Sequence, residues 1–232
     1  MKLAKRMKSV TSLVDRNKEY SIAEAVALVK KTAKAKFVES FDIAVKLGVD
    51  PKKSDQMVRG TASLPHGIGK DVRVLVLTKS GKDQEARDAG AEHVGFEEYI
   101  EKIQSGWTDV DVVIATPDVM GEVGKLGKIL GTRGLMPNPK SGTVTNDVGQ
   151  AVKEVKAGKI SFRVEKGGIV HAMIGKVNFD EDKLVDNVKS FISTLNRMKP
   201  TAAKGVYIRS VTVSCTMGPG VQVDKIEATN LH

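Results

Sequence analysis

The stretch VRVLVLT, Val72 to Thr78, decides the fold because it is a nearly continuous apolar run. Such runs are typical of parallel strands that helices cover on both faces. The segments that follow alternate between helical and strand patterns: DQEARDAGA, AEHVG, FEEYIEKIQSG and DVVIATP. This βαβαβ succession predicts a three-layer α/β domain, with further helices around VMGEVGKLGKILG and NDVGQAVKEVKAG.

The strands outside this region follow a different pattern. In FDIAVKLGV, Phe41 to Val49, every second residue is apolar, which predicts a strand with one buried and one wet face. Other predicted elements are a helix over residues 19–31 with a Ser21–Glu24 capping box, a strand in VRGTASLP, a hairpin of ISFRVEKG and IVHAMIGKV across Gly167–Gly168, a helix in NFDEDKLVDNVKSFISTLNRMK that Pro200 stops, and a last strand in GVYIRSVTVSCTM.

The simplest topology places one domain inside another. Residues 1–67 and 159–232 form a discontinuous α+β domain, and residues 68–158 form an inserted, Rossmann-like α/β domain. Charge supports this division, because residues 68–158 hold 12 Lys+Arg and 14 Asp+Glu, a net of −2. The flanks hold 25 and 14, a net of +11. We therefore expect the discontinuous domain to bind a polyanion such as nucleic acid.

Composition narrows the class of protein further. The chain of 232 residues carries a net charge of +9, and no apolar run reaches the roughly 18 residues of a membrane-spanning helix. No hydrophobic signal core follows MKLAKRMKSV, and the single Cys215 fits a reducing compartment, so we expect a cytoplasmic protein without membrane contact. The four histidines lack ligand spacing, so we expect no metal.

Enzyme motifs fit poorly. In GEVGKLGKILG, neither Gly-Lys pair has a glycine at the spacing of a phosphate loop, and HGIGK precedes its strand instead of following it. Helix capping or solubility explains the candidate carboxylates, and no nucleophile-elbow motif is present. We expect no catalytic residue and no cofactor. The alternative is a nucleotide- or metabolite-binding enzyme that uses the inserted domain.

The basic domain offers a more coherent set of residues. KKTAKAKFVESFD places four lysines, Lys36 among them, ahead of Phe37. Lysines neutralise phosphates, and an exposed aromatic ring can stack on a base, although a lone Phe can equally belong to the core. Lys46, Arg163 and Lys166 alternate with apolar positions on predicted wet faces, where either RNA contact or solubility explains them.

The stretch SVTVSCTMGPGV, Ser210 to Val221, ends a strand in small polar groups and bare backbone. A hairpin turn is the ordinary interpretation of such Gly and Pro residues. The alternative is an RNA contact, in which Ser210 and Thr216 bond ribose 2′-hydroxyls or phosphates, Met217 covers those bonds from water and Gly218 lets the backbone approach. RNA exposes its 2′-hydroxyls in a wide, shallow minor groove, which favours RNA over DNA.

These motifs resemble a known family. KGVYIRSVTVSCTMGPGV, VMGEVGKLGKILGTRGLMPNPKSGTVT, FDIAVKLGVDPKKSDQMVRG and IGKVNFDEDKL are similar, in order and over nearly the whole chain, to the bacterial ribosomal protein L1 family. The resemblance implies a protein of the large ribosomal subunit that binds 23S rRNA at a mobile stalk near the tRNA exit site. It also implies transient contact with exit-site tRNA, repression of translation by binding the protein's own mRNA, and a monomer outside the ribosome.

The resemblance also implies which residues contact RNA. Matching motifs carry over Lys36, Phe37, Ser40, Ser210, Thr216, Met217 and Gly218, with Arg163, Lys166 and His171 as extensions. Cys215 departs from the family, which commonly has Ser or Thr there. Alternation leaves open whether it faces the core or the RNA. A transcription factor on duplex DNA is a further alternative, although the sequence has no helix-turn-helix, zinc-finger or basic-zipper motif.

Overall fold

The computed structural model describes residues 4–79 and 81–231. Their helices are α1 (Lys5–Thr11), α2 (Ile22–Thr32), α3 (Asp83–Asp88), α4 (Glu97–Gln104), α5 (Met120–Val123), α6 (Gly127–Thr132), α7 (Val148–Lys156), α8 (Glu181–Arg197) and α9 (Lys225–Thr229). Their strands are β1 (Ser40–Leu47), β2 (Arg59–Ser63), β3 (Val74–Leu77), β4 (His93–Gly95), β5 (Val112–Ala115), β6 (Lys159–Arg163), β7 (Ile169–Lys176), β8 (Ile208–Cys215) and β9 (Val221–Val223). This mixture of α/β and α+β structure confirms the predicted fold class.

The chain divides into two compact units. The first unit comprises Met1–Gly69 and Gly158–His232, and the second comprises Lys70–Ala157. Each has its own hydrophobic core, and no helix among the described residues is both long and apolar enough to span a bilayer. Independent domains with boundaries at 67–68 and 158–159 stay a prediction.

The first unit is built on an antiparallel sheet of strand order β7-β1-β8-β9. The alternation in β1 is confirmed: Phe41, Ile43 and Val45 are at most 1% exposed, whereas Lys46 is exposed. The buried face packs on α2 and α8, whose apolar residues complete one core. The Ser21–Glu24 capping box is present and begins α2 as predicted.

The predicted hairpin across Gly167–Gly168 is confirmed at its turn, where the Glu165 N–H donates to the Ile169 carbonyl, but β6 and β7 each pair with another strand. β6 pairs with β2 in a separate two-stranded sheet, and β7 pairs with β1. A tight turn, in which the Gly168 N–H donates to the Glu165 carbonyl, directs the chain from one sheet to the other. Both strands bury their apolar side chains in the same core. Their alternation of apolar and polar residues is therefore the same as it would be if they paired with each other.

Short elements at both ends of the chain have no counterpart in the sequence prediction. These are α1, β9 and α9. β9 pairs with β8, so the Gly and Pro residues of SVTVSCTMGPGV form a hairpin turn. Since the polar groups of that turn remain on the surface, the ordinary interpretation of the stretch is compatible with an RNA contact.

The second unit is a three-layer structure with a parallel sheet of order β4-β3-β5. Val74 and Val76 of β3 pack with α3 and α7, while Leu75 and Leu77 pack with α4, α5 and α6 on the other face. The single helix predicted around VMGEVGKLGKILG is instead α5, a 3-10 turn at Gly124–Leu126 and α6. Glycine has a low helix propensity, and the repeated glycines of this segment explain why the helix is interrupted.

The first unit contains a close approach of two backbone segments. Gly67 and Gly158 have φ values of 64° and 104°, in the left-handed region that favours glycine. A Cβ atom on Gly158 would lie 2.4 Å from the Gly67 Cα. Gly158 therefore requires glycine for packing as well as for backbone conformation, and Gly67 requires it for backbone conformation.

Candidate nucleic-acid interface

Two segments far apart in sequence meet at one end of β1 and β8. One is the loop of residues 33–39 before β1, and the other is the turn of residues 216–220 after β8. The Ser40 N–H donates to the Thr216 hydroxyl over 2.9 Å, and the Thr216 N–H donates to the Ser40 carbonyl over 3.2 Å. We call these two segments, together with Ser40 at the start of β1, the loop–turn site. It brings together six predicted contact residues: Lys36, Phe37, Ser40, Thr216, Met217 and Gly218.

Large apolar side chains at the loop–turn site are exposed. Phe37 and Val38 are each 56% exposed and Met217 is 48% exposed, so Phe37 does not belong to the core. Lys36 beside them is also exposed. An exposed aromatic ring next to a cation is the arrangement that binds a base and its phosphate.

The polar groups of Thr216 and Ser40 are partly committed within the protein. The Thr216 hydroxyl accepts the Ser40 N–H, but its own O–H is available for an external acceptor. The Ser40 hydroxyl accepts from the Lys176 ammonium over 3.0 Å. Thr216 is exposed, so its bond to Ser40 becomes shielded from water only when a ligand covers it.

Gly218 is required by packing inside the protein. A Cβ atom there would lie 2.3 Å from the Cys215 sulfur and 3.3 Å from the Thr32 hydroxyl. The missing side chain at Gly218 therefore has a reason within the protein, besides the predicted approach of RNA. Cys215 is 2% exposed and belongs to the core, so its departure from the family removes no polar group from the surface.

Lys46 and Ser210 lie at the opposite end of the open sheet face. They are cross-strand partners, and β1 runs about 20 Å from Ser40 to Lys46. The structure therefore does not bring Ser210 next to Thr216. Lys166 lies on the turn that enters β7 at this same end, since Ile169 is opposite Lys46. The predicted RNA-contact residues of this sheet therefore form two separate groups. One lies at the loop–turn site, and the other consists of Lys46, Lys166 and Ser210.

Arg163 and His171 lie on different sheets. Arg163 is in β6, opposite Arg59 of β2, and its guanidinium is 3.8 Å from the Met57 sulfur. His171 is on β7 opposite Ala44 and is exposed, with its Nε2 atom 3.5 Å from a Glu165 carboxylate oxygen. Arg163 therefore extends beyond the four-stranded sheet, whereas His171 lies on its open face.

The middle of the open face contains an acidic residue. Asp42, His171, Met173 and Ser214 line most of an open depression of about 400 Å³. Burial raises the pKa of Asp42, and electrostatic interactions with Lys176 and His171 oppose that rise only in part. A carboxylate here repels phosphate, so this part of the face is less suited to a nucleic-acid backbone than its two ends.

Two residues that hold the loop–turn site in place were not identified from the sequence. The buried Glu39 carboxylate accepts N–H groups from both segments, and the Arg6 guanidinium of α1 donates to the Met217 carbonyl over 2.9 Å. Glu39 directly precedes Ser40, a predicted contact residue, but the surrounding sequence does not distinguish it from an exposed glutamate on the surface. Nothing in the local sequence associates Arg6 with residue 217.

The glycine-rich segment of the second unit has no phosphate-loop geometry. Gly121, Gly124, Gly127 and Gly131 lie within the run of α5, the 3-10 turn and α6. A phosphate loop instead presents successive N–H groups ahead of a helix. The structure therefore gives the nucleotide-binding alternative no support at this segment.

Comparisons with known proteins give one consistent result. Residues 29–219 match the model of the ribosomal protein L1p/L10e family. The chain is 61% identical to the large ribosomal subunit protein uL1 of Chlorobium luteolum, covering 95% of this chain and 96% of that protein. The proteins of the same name from Flavobacterium johnsoniae and Bacteroides thetaiotaomicron are 59% and 58% identical, over 96% of this chain and 97% and 96% of theirs.

Proposed function

We propose that this chain, which belongs to the ribosomal protein L1p/L10e family, is a non-enzymatic protein of the large ribosomal subunit that binds 23S rRNA through its first unit. The exposure of Phe37 and Met217, beside Lys36 and on two segments joined by hydrogen bonds, is the observation that carries the proposal. A soluble protein gains nothing in stability from such exposed side chains, so a ligand that covers them is the physical explanation.

RNA fits this site better than duplex DNA. The loop–turn site presents small polar groups and exposed apolar groups at the end of a sheet, whereas duplex DNA is most often read by a helix that enters the major groove. Ribose hydroxyls can bond the Thr216 hydroxyl while a base or ribose packs on Phe37 and Met217. The net charge of +11 in the flanks supplies long-range attraction to any RNA.

The protein's own mRNA and exit-site tRNA are further proposed partners. An mRNA segment that folds like the rRNA site would occupy the loop–turn site in its place, which supports repression of translation when free protein exceeds rRNA. Contact with tRNA follows from the proposed position of the protein on the stalk near the exit site. Outside the ribosome we propose a cytoplasmic monomer.

Binding of a stalk fragment of 23S rRNA tests the function. The full chain should bind this fragment more tightly than random RNA or duplex DNA of equal length. Phe37→Ala should weaken stalk binding by about 1–3 kcal/mol because a stacking contact is lost. Ile226→Ala, which truncates another exposed apolar side chain (65% exposed) on α9, is the matched control and should leave affinity unchanged. Equal affinity of the wild-type chain for all three nucleic acids would contradict the proposal.

A further inference from the structure

A buried carboxylate lies beneath the loop–turn site. Glu39 is 2% exposed, and among the buried polar residues in the part of the chain that the structure describes it alone carries a formal charge. Burial of a carboxylate is costly unless hydrogen bonds and opposite charges compensate it. The partners of Glu39 therefore indicate what its charge does.

Each oxygen of the Glu39 carboxylate has a backbone partner from a different segment. Oε1 accepts the Ala35 N–H over 3.0 Å, and Oε2 accepts the Met217 N–H over 2.8 Å. Burial alone would raise the pKa of Glu39, but these two N–H groups, with Cys215 and the positive charge of Arg6, together hold it below its ordinary value. The carboxylate is therefore ionised at neutral pH, with both oxygens acting as acceptors.

The peptide groups of Met217 are held on two sides. Its N–H donates to Glu39, and its carbonyl accepts from the Arg6 guanidinium over 2.9 Å. Ala35 and Glu39 are the two ends of the stretch that exposes Lys36, Phe37 and Val38. One carboxylate thus fixes the exposed stretch of the loop relative to the exposed Met217 side chain.

We infer that Glu39 is a positioning residue, whose carboxylate holds the Lys36–Phe37 stretch and Met217 at the separation that binds RNA. This inference rests on the proposed function. Glu39 does not touch RNA itself, since its side chain is buried. It preorganises two contact segments in the free protein, so that RNA binding does not have to order them.

The variant Glu39→Gln separates the effect of charge from that of positioning, because the two predict opposite changes in affinity for stalk rRNA. The variant keeps the size of the side chain and removes a negative charge, so electrostatics alone predicts tighter binding of RNA. Glutamine has a single acceptor oxygen, and its NH₂ group would face the N–H of either Ala35 or Met217. We therefore expect stalk rRNA to bind about 5- to 30-fold more weakly, with random RNA bound no more weakly than by the wild-type chain.

Two further sets of variants control for charge and for folding. Glu181→Gln removes the same charge from an exposed position at the start of α8 and should not weaken binding. Should Glu39→Gln fail to fold, Arg6 gives the same test from the other side of Met217. Arg6→Lys keeps a charged donor and should retain most of the affinity, whereas Arg6→Met should lose stalk affinity by more than it loses random-RNA affinity.

The outcomes separate this inference from the proposed function. If the wild-type chain fails to distinguish stalk rRNA from random RNA, the proposed function is wrong whatever the variants do. If the wild-type chain distinguishes them and Glu39→Gln binds stalk rRNA equally well or better, only the positioning role is overturned. Loss of stalk affinity in Glu39→Gln, with Glu181→Gln unaffected, supports the role.

Discussion

The two units use their sheets differently. In the second unit β3 is buried on both faces, and Val74 to Leu77 are all fully buried between layers of helices. In the first unit β1 buries only alternate residues, and its other face carries Ser40, Asp42 and Lys46. A sheet covered on both sides gives its whole surface to the core, whereas a sheet covered on one side leaves a rigid polar surface for a ligand.

The two units also differ in what their charged side chains contact. In the second unit several cations form ion pairs with acids of that unit, among them Lys70 with Asp111 and Lys156 with Glu92. Lys36 and Lys46 of the first unit are exposed on the proposed RNA-binding surface. We therefore expect substitutions at similar residues to affect RNA binding in the first unit and only stability in the second.

Replacement of a glycine by alanine should give the largest difference in stability between the two units. Gly158→Ala combines a positive φ with a contact to the Gly67 backbone, so we expect a loss of about 3 kcal/mol or more in the free energy of unfolding. Gly134 in the second unit has a φ of 72° but open space around a Cβ atom, so Gly134→Ala should cost about 1–2 kcal/mol. Urea unfolding measures both, and equal losses would show that the contact with Gly67 does not matter.

A threonine pair tests the loop–turn site. Thr216→Val deprives the Ser40 N–H of its acceptor and removes the free hydroxyl, so stalk rRNA should bind about 1–3 kcal/mol more weakly. Thr132→Val, at an exposed threonine of α6 in the second unit, should leave affinity unchanged. Filter binding measures both variants. The role of Thr216 is wrong if stalk and random RNA lose affinity equally.

A lysine pair tests the electrostatic contribution. Lys36→Gln should reduce the slope of log affinity against log salt by about 0.7–0.9, as expected for the loss of one phosphate contact. Lys128→Gln, at an exposed lysine of the second unit, should leave that slope unchanged. Titrations at several salt concentrations measure it. An equal reduction in both variants would mean that the second unit neutralises phosphates as well.

Replacement of one aspartate in each unit, Asp42 in the first and Asp111 in the second, should give the smallest effects on stability. The two effects should have opposite signs. The raised pKa of Asp42 means that its ionisation destabilises the folded state, so Asp42→Asn should increase stability at pH 7. Burial would also raise the pKa of Asp111, but bonds from Lys70 and Arg73 lower it overall, so Asp111→Asn should decrease stability. We expect each change to be below about 1 kcal/mol.

The pH dependence identifies the cause of these aspartate effects. The advantage of Asp42→Asn should shrink as pH falls through the raised pKa of Asp42 towards 3.8, the ordinary value. The stability that Asp111 contributes is present above 3.8 and should be lost as pH falls through its lowered pKa. Thermal unfolding between pH 7 and acidic pH follows both, and a pH-independent difference would exclude ionisation as the cause.

Hydrophobic patterns predict the main elements of the fold well and their pairing less well. The alternation of β1 and the continuous apolar run of β3 each require one kind of burial, which the structure confirms. The pairing of β6 with β2 instead of β7 is invisible to the pattern, because the same side chains are buried in either arrangement. The short α1, β9 and α9 depend on tertiary contacts more than on local preference.

The sequence predicts the contact residues of the candidate site but not what holds them in place. Motif resemblance identifies Phe37 and Thr216, and the structure shows that their segments meet. The supporting role of Glu39 depends on the fold, because its partners Ala35 and Met217 lie in separate segments. Local patterns carry no information on such distant pairs.

The affinity of each isolated unit for the stalk fragment of 23S rRNA decides which unit binds RNA. Residues 1–69 joined by a short linker to residues 158–232 give the first unit, residues 70–157 give the second, and circular dichroism checks that both are folded. We expect the first unit to retain most of the affinity of the full chain, and the second unit to bind stalk rRNA no more tightly than it binds random RNA. Selective binding of stalk rRNA by the second unit, with none by a folded first unit, would contradict it.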